Sequence, residues 1–192
     1  LPGETFADGQ RIRVYVMDVF AGDKGPRMKI SRTRAGLVER LFEMEVPEIY
    51  DGTIEIKSTA REAGSRTKMA VWSKNPDVDA VGACVGQKGI RVERMVNELH
   101  NEKIDIIEWD SDPAVYIAKA LSPAKVIMVY INETEKAAKV VVPDQQLSLA
   151  IGKEGQNARL AAKLTGWKID IKPESGFYDP DAHKAAEAEE QE

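Results

Sequence analysis

One stretch of this chain occurs twice, and the repeat constrains the fold more than any single motif does. Val85-Gly86-Gln87-Lys88-Gly89-Ile90 is answered 66 residues later by Ile151-Gly152-Lys153-Glu154-Gly155-Gln156. In each copy a β-branched residue precedes Gly-x-x-Gly and a helix-like run follows. Both runs lead into nearly the same strand, Lys103-Ile104-Asp105-Ile106 and Lys168-Ile169-Asp170-Ile171. Self-similarity at a fixed offset declares one structural unit used twice.

Two glycines flanking two other residues let the backbone turn tightly and approach another polymer, because neither carries a Cβ. The amides opening the next helix then face outward at the positive end of the helix dipole, which suits a phosphate. Four residues cannot form a base pocket, but they can hold a sugar-phosphate strand, as the Gly-x-x-Gly loop of a KH module does. The pattern alone is common, arising by chance about once per 200 positions at ordinary glycine content. A third instance, Gly22-Asp23-Lys24-Gly25, lies between strand-like runs with no helical pattern after it and reads as a hairpin turn.

A chain of 192 residues has room for one large domain or two to three small ones. No apolar run is long enough to span a bilayer, and the start lacks a signal-peptide layout. The one cysteine, Cys84, excludes an intrachain disulfide and favours a reducing, cytoplasmic setting. A net charge of −5 looks wrong for a nucleic-acid binder until it is divided. Residues 1–176 balance at 26 basic and 26 acidic side chains, while residues 177–192 carry one and six. A neutral body with local basic patches can bind a single strand, with modest affinity and no strong long-range field.

Along the chain, alternation over 11–20 and 27–31 predicts two strands joined at the glycine turn, too little for a stable barrel by itself. These residues, 1–33, are expected to be the closing part of a small OB-like β-barrel whose beginning is missing. Arg11, Arg13 and Tyr15 could then face nucleic acid, but packing of Tyr15 and solvation of the arginines is the simpler reading. Leu37, Val38, Leu41, Phe42 and Met44 have helical spacing after Thr33, the expected N-cap, and Val46-Pro47 stops the helix. Within 34–110 follow strands at 53–62 and 67–73, a short helix to Val85, the first loop, a helix burying Val92, Met95, Val96 and Leu99, and strand 103–109. Within 111–176 the plan repeats, from a helix at Asp112-Pro113 through strands at 125–133 and 138–142, helix 144–151, the second loop and helix 156–165 to strand 168–172. With almost no linker between the units, one rigid body is expected rather than two on a tether. Residues 177–192, rich in Ala and Glu, read as an acidic tail.

Longer runs add to this reading. Ile30-Ser31-Arg32-Thr33, the run from Phe42 to Gly52, Ala60 to Lys68, Gly82 to Gly86, Lys103 to Trp109, Leu121-Ser122-Pro123-Ala124, and Leu149 to Asn157 together resemble the NusA family of bacterial transcription elongation, termination and antitermination factors. The resemblance implies an α+β chain in which two tandem prokaryotic-type (type II) KH domains pack together behind the closing strands of an S1 barrel. It implies a monomer that binds single-stranded RNA on the nascent transcript and partners RNA polymerase and other elongation and antitermination factors, with no cofactor. The RNA-binding residues expected from the loops and their flanks are Gly86, Gln87, Lys88, Gly89, Arg91 and Arg94 in the first unit. In the second they are Gly152, Lys153, Glu154, Gly155 and Asn157. Glu154 suits a phosphate less well than a neutral or basic residue, so the second loop should contribute less. The family's N-terminal polymerase-binding domain and the first half of S1 have no counterpart here, which implies RNA binding with defective pausing.

An enzyme is disfavoured: no phosphate-binding Gly-x4-Gly-Lys-Ser/Thr or His-Glu-x-x-His run occurs, and Cys84 lies in an apolar helix stretch without a nearby histidine. Two alternatives stand beside the transcription factor, a protein-docking scaffold with vestigial loops and another KH-type ribosome-associated RNA-binding protein. Trp72, Trp109 and Trp167 sit at strand ends, where a core edge is a simpler role than base stacking.

Overall fold

The computed structural model describes residues 1–177. Strands β1 (Tyr15–Phe20) and β2 (Arg27–Ser31) pair antiparallel, and the Gly22–Gly25 turn closes them with reciprocal backbone bonds of 3.1 and 3.0 Å. The third Gly-x-x-Gly is thus a hairpin turn. Tyr15 packs on α1 (Ala35–Glu45), where a Cβ on Gly36 would meet its ring at 2.7 Å. Arg13 reaches Glu98 at 3.5 Å. Arg32 holds the hairpin to the rest: it donates to both carboxylate oxygens of Glu4, to Arg13 O at 2.6 Å and to Glu98 O at 2.9 Å. The Arg32 hydrogen bonds outweigh desolvation and lower the Glu4 carboxyl to about 2.

The first unit runs α1, α2 (Pro47–Tyr50), β3 (Ile54–Glu62), β4 (Arg66–Ser73), α3 (Ala80–Val85), α4 (Ile90–Glu98) and β5 (Lys103–Glu108). The second runs α5 (Pro113–Ala120), β6 (Met128–Asn132), β7 (Ala137–Val142), α6 (Leu147–Ile151), α7 (Gln156–Thr165) and β8 (Lys168–Pro173). Each sheet has three strands, the first two antiparallel and the last two parallel, ordered β3-β4-β5 and β6-β7-β8. A parallel pair needs a crossover, and the two helices around each glycine loop supply it.

Two expectations about α1 change. Its N-cap is Arg34, in extended conformation and without a side-chain cap bond, because the Thr33 hydroxyl is engaged with Ser31 Oγ at 3.1 Å. Met44 lies off the buried stripe and is 72% exposed, whereas Leu37, Val38, Leu41 and Phe42 fill the core. Asp79 and Asp112 cap α3 and α5 through carboxylates that accept from Gly82 N and Ala114 N, and Pro113 occupies the first turn of α5, where its missing N–H costs nothing.

β4 is buried without interruption from Thr67 to Val71, as a strand covered on both faces must be. Met69 and Val71 join the first unit's core with Phe42, Ile54, Met95 and Leu99. Ala70 faces the other way, and with Ala60 and Ile107 it belongs to the second unit's core, among Tyr116, Ile117, Leu121, Val140, Leu160 and Leu164. The second helical layer therefore sits on the first unit's sheet, and one apolar cluster draws on both units. Lys68 is wholly buried on this face; its ammonium donates to Asp105 Oδ2 at 3.0 Å and to Ser122 O at 2.7 Å. Burial lowers the Lys68 pKa, opposed by the nearby Asp105 charge.

Candidate nucleic-acid interface

The two glycine loops have the same backbone. Gly86 and Gly152 adopt φ/ψ of 76/167° and 80/169°, Lys88 and Glu154 adopt 54/25° and 54/27°, and Gly89 and Gly155 adopt 78/9° and 74/14°. Gly86 and Gly152 are required twice over, by positive φ and by contact. A Cβ would meet Arg91 Cγ at 2.7 Å in the first loop and Asn157 N at 2.7 Å in the second. Lys88 and Glu154 hold a left-handed conformation that costs an L-residue on the order of 1 kcal/mol. Each loop is pinned by a bond from the second glycine's N–H to the first one's carbonyl, at 3.0 and 3.1 Å. Gly89 and Gly155 then N-cap α4 and α7 with no side chain to occupy the first-turn amides. The result is two helix starts whose amides lie beside an exposed loop, an arrangement that accepts an anionic backbone.

Of the residues read from the sequence, Gln87, Lys88, Lys153 and Glu154 are exposed at the loop tips or half-exposed beside them. Arg91 is half-buried and held by the fold, whereas Arg94 keeps an exposed side chain. Arg91 donates to Ala83 O at 2.7 Å and lies 3.5 Å from Glu48, and Arg94 pairs with Glu45 at 2.5 Å. Asn157 differs most from expectation. It is 2% exposed, and its amide donates to Leu121 O at 3.0 Å and Ala150 O at 2.9 Å. It props the second loop from beneath rather than facing solvent.

The structure adds residues that the sequence reading missed. Glu62 of β3 accepts from Gln156 at 2.8 Å and from Arg159 of α7, and Ser65 Oγ takes a second bond from Gln156 at 2.7 Å. The Arg159 bond, then that from Gln156, holds the Glu62 carboxyl below its usual range. Arg159 also donates to Glu154 O at 3.0 Å, so the first unit's sheet edge fixes the second unit's loop. A groove of about 350 Å³ opens beside this contact, lined by Ser65, Arg66, Lys103, Lys153 and Gln156 among others. These partners lie 91 to 97 residues apart in the chain, and no periodicity announces them.

Trp72 and Trp109 meet edge to face at 6.2 Å with Lys57 Nζ over both rings, and Trp167 packs on the second core. Cys84 is buried in the first core, and desolvation pushes its thiol up to about 12. No group of three or more His, Cys, Asp or Glu among the described residues could hold a metal ion, and no helix among them is long and apolar enough to cross a membrane.

Helix–strand–strand–helix–loop–helix–strand units with a glycine loop between the paired helices define a tandem KH module. Residues 32–109 match the NusA-like first KH domain family and residues 113–178 the NusA-like second KH domain family. The chain belongs to the NusA family. Among its relatives are the transcription termination/antitermination protein NusA of Halalkalibacterium halodurans, 63% identical across 91% of this chain and 46% of that protein, and that of Bacillus subtilis, 62% identical across 91% and 47%. The NusA of Thermus thermophilus is 47% identical across 98% of this chain and 49% of its own length. The chain thus spans about half the length of these relatives. In fold it is similar to the crystal structure of APE1850, with a TM-score of 0.53 at 19% identity over 70% of this chain and 95% of that one.

Proposed function

We propose that this chain binds single-stranded RNA along both glycine loops and does so as part of a transcription factor acting on nascent transcript in the RNA polymerase elongation complex. The observation that carries the reading is the pairing of two conformationally identical loops, each at an uncapped helix start, on one merged core. Gln87, Lys88, Lys153 and the amides after Gly89 and Gly155 hold phosphates, exposed Arg94 on α4 adds positive charge beside the first loop, and Arg91 and Asn157 hold the loops in shape. The groove along Arg66, Lys103 and Lys153 supports a strand passing from one unit to the other. Glu154 weakens the second loop's share. Termination and antitermination come from the relatives' names, and residues 1–33 fit the closing strands of an S1 barrel.

The test replaces Gln87 and Lys88, and separately Lys153 and Glu154, by Asp-Asp. Each pair should weaken single-stranded RNA binding by tenfold or more with circular dichroism unchanged, the first more than the second. Four to six phosphate contacts give a log–log salt slope of about −3 to −4, at roughly 0.7 per contact. Unchanged binding with an intact fold would favour a docking scaffold with vestigial loops, and a flat salt titration would remove the phosphate contacts.

A further inference from the structure

Each glycine loop is followed by a helix whose arginines pair with carboxylates brought from elsewhere in the fold, and the pairs are built differently. After the second loop, Arg159 is held twice, by Glu62 and by its bond to Glu154 O at 3.0 Å. After the first, Arg91 is likewise held twice, donating to Ala83 O at 2.7 Å with Glu48 3.5 Å away, and its side chain is 28% exposed. Arg94 is the exception. Its side chain is 59% exposed, and among the described residues Glu45 is its only hydrogen-bond partner, through Nη1 alone. It stands about 6 Å along α4 from Ile90, at 1.5 Å per residue, one turn beyond the free amides of the helix start.

Nothing in α1 calls for a carboxylate at Glu45. It is the last residue of that helix, whose final turn carries no basic side chain, and the helix dipole opposes a negative charge at a carboxyl end. Its position therefore does not stabilise α1; what it meets is Arg94. While the pair is closed the two charges cancel, and the first loop works with Lys88 and its amides alone. A pair this exposed is weakly held, and a phosphate offers the same guanidinium a charge-assisted partner of the same kind.

We propose that Glu45 is a positioning residue that competes with phosphate for Arg94 and so sets how much of the Arg94 charge the first loop can use. The proposal rests on the reading that the loops hold an RNA strand. In the free chain Arg94 lies on Glu45; on binding it transfers to a phosphate and leaves the half-buried Glu45 carboxylate without its partner, beside a polyanion. That carboxylate then draws in a cation from solution, which offsets part of the counterion release that the new phosphate contact brings. The first loop thus binds less tightly than its cations alone would allow.

A double-mutant cycle on the full chain, read as single-stranded RNA affinity across a salt titration, tests this. Glu45→Gln should tighten binding roughly two- to fivefold, the worth of an exposed ion pair. It should also steepen the log–log salt slope by up to about 0.7, one phosphate contact on a single strand. Arg94→Gln should weaken binding, and in that background Glu45→Gln should change little, because Glu45 acts only through Arg94. Glu39→Gln removes the same charge from the same helix and should change little in either background. Unchanged or weaker binding in Glu45→Gln would overturn the proposal. So would an equal gain from Glu39→Gln, or a gain from Glu45→Gln that persists without Arg94, since either would assign the effect to bulk charge. A parent chain without salt-dependent RNA binding would instead overturn the reading of the loops, and the proposal with it.

Discussion

Replacing Asn157 separates a prop from a contact. Its amide gives Ala150 O, at the carboxyl end of α6, a partner at 2.9 Å, and gives Leu121 O one at 3.0 Å. Leu121 O also accepts from Ala124 N at 3.1 Å, so Asn157→Ala leaves it half satisfied, while Ala150 O loses the partner that the helix end cannot replace. A stranded buried acceptor costs about 1–3 kcal/mol and a lost shared bond about 0.5–1.5 kcal/mol. Against this, Asn157 Oδ1 is itself buried without a partner, and removing it returns part of the loss. The net expectation is about 2–3 kcal/mol, or roughly 4–12 °C in Tm at 2–4 °C per kcal/mol for a chain of this size. Thermal unfolding by circular dichroism reads the stability, and single-stranded RNA affinity below the transition reads the function. Asn157→Ala should lower Tm by that amount and weaken binding only through the second loop. A variant with unchanged Tm and lost RNA binding would refute the buried role and return Asn157 to the interface.

Other perturbations probe the rest of the scaffold. Glu102 is fully buried and accepts from Arg61, Gly64 N and Thr67, so Glu102→Ala strands the buried Arg61 charge and should cost about 3–5 kcal/mol in denaturant unfolding; a loss under 1 kcal/mol would refute the network. Glu62→Ala frees Arg159 and Gln156 and should barely move Tm, since Arg159 is half-exposed, yet lower RNA affinity for strands long enough to reach both loops more than for short ones. A folded-state pKa near 2 for Glu4 means its stabilisation is present above 4.5 and is lost as pH falls through 2. Tm should therefore fall across that window less steeply in Glu4→Gln than in the parent chain, and parallel curves would remove the Arg32 contact from the account. Gly152→Ala, with a positive φ and a Cβ 2.7 Å from Asn157 N, should destabilise the second unit by at least about 1–3 kcal/mol; a neutral result would mean the loop is not held in this shape.

What the sequence made legible was whatever repeats or has short period. The loops announced themselves through matched flanks, the helix faces through the spacing of Leu37 to Phe42 and of Met95 to Leu99, and Cys84 through its apolar run. The merged core was half visible: an absent linker implied close packing, but nothing in Ala60, Ala70 or Ile107 says that they face another unit. The burial of Lys68 and Glu102 has no local signature, because it depends on partners 35 to 54 residues away. Asn157 misled because a polar residue two steps past a loop usually meets solvent, whereas here it faces Leu121, 36 residues earlier. Thr33 lost the capping role to a competing hydroxyl two residues before it.

Because Ala60, Ala70 and Ile107 are lodged in the neighbouring unit's interior, neither half of the tandem is a separable part. Severing the chain near Asp110 would strip an oily sheet on one fragment and leave the other without a floor. The pair is thus the smallest piece that could be transplanted, shuffled or lost, and any drift in one glycine loop must be tolerated by its twin's foundations.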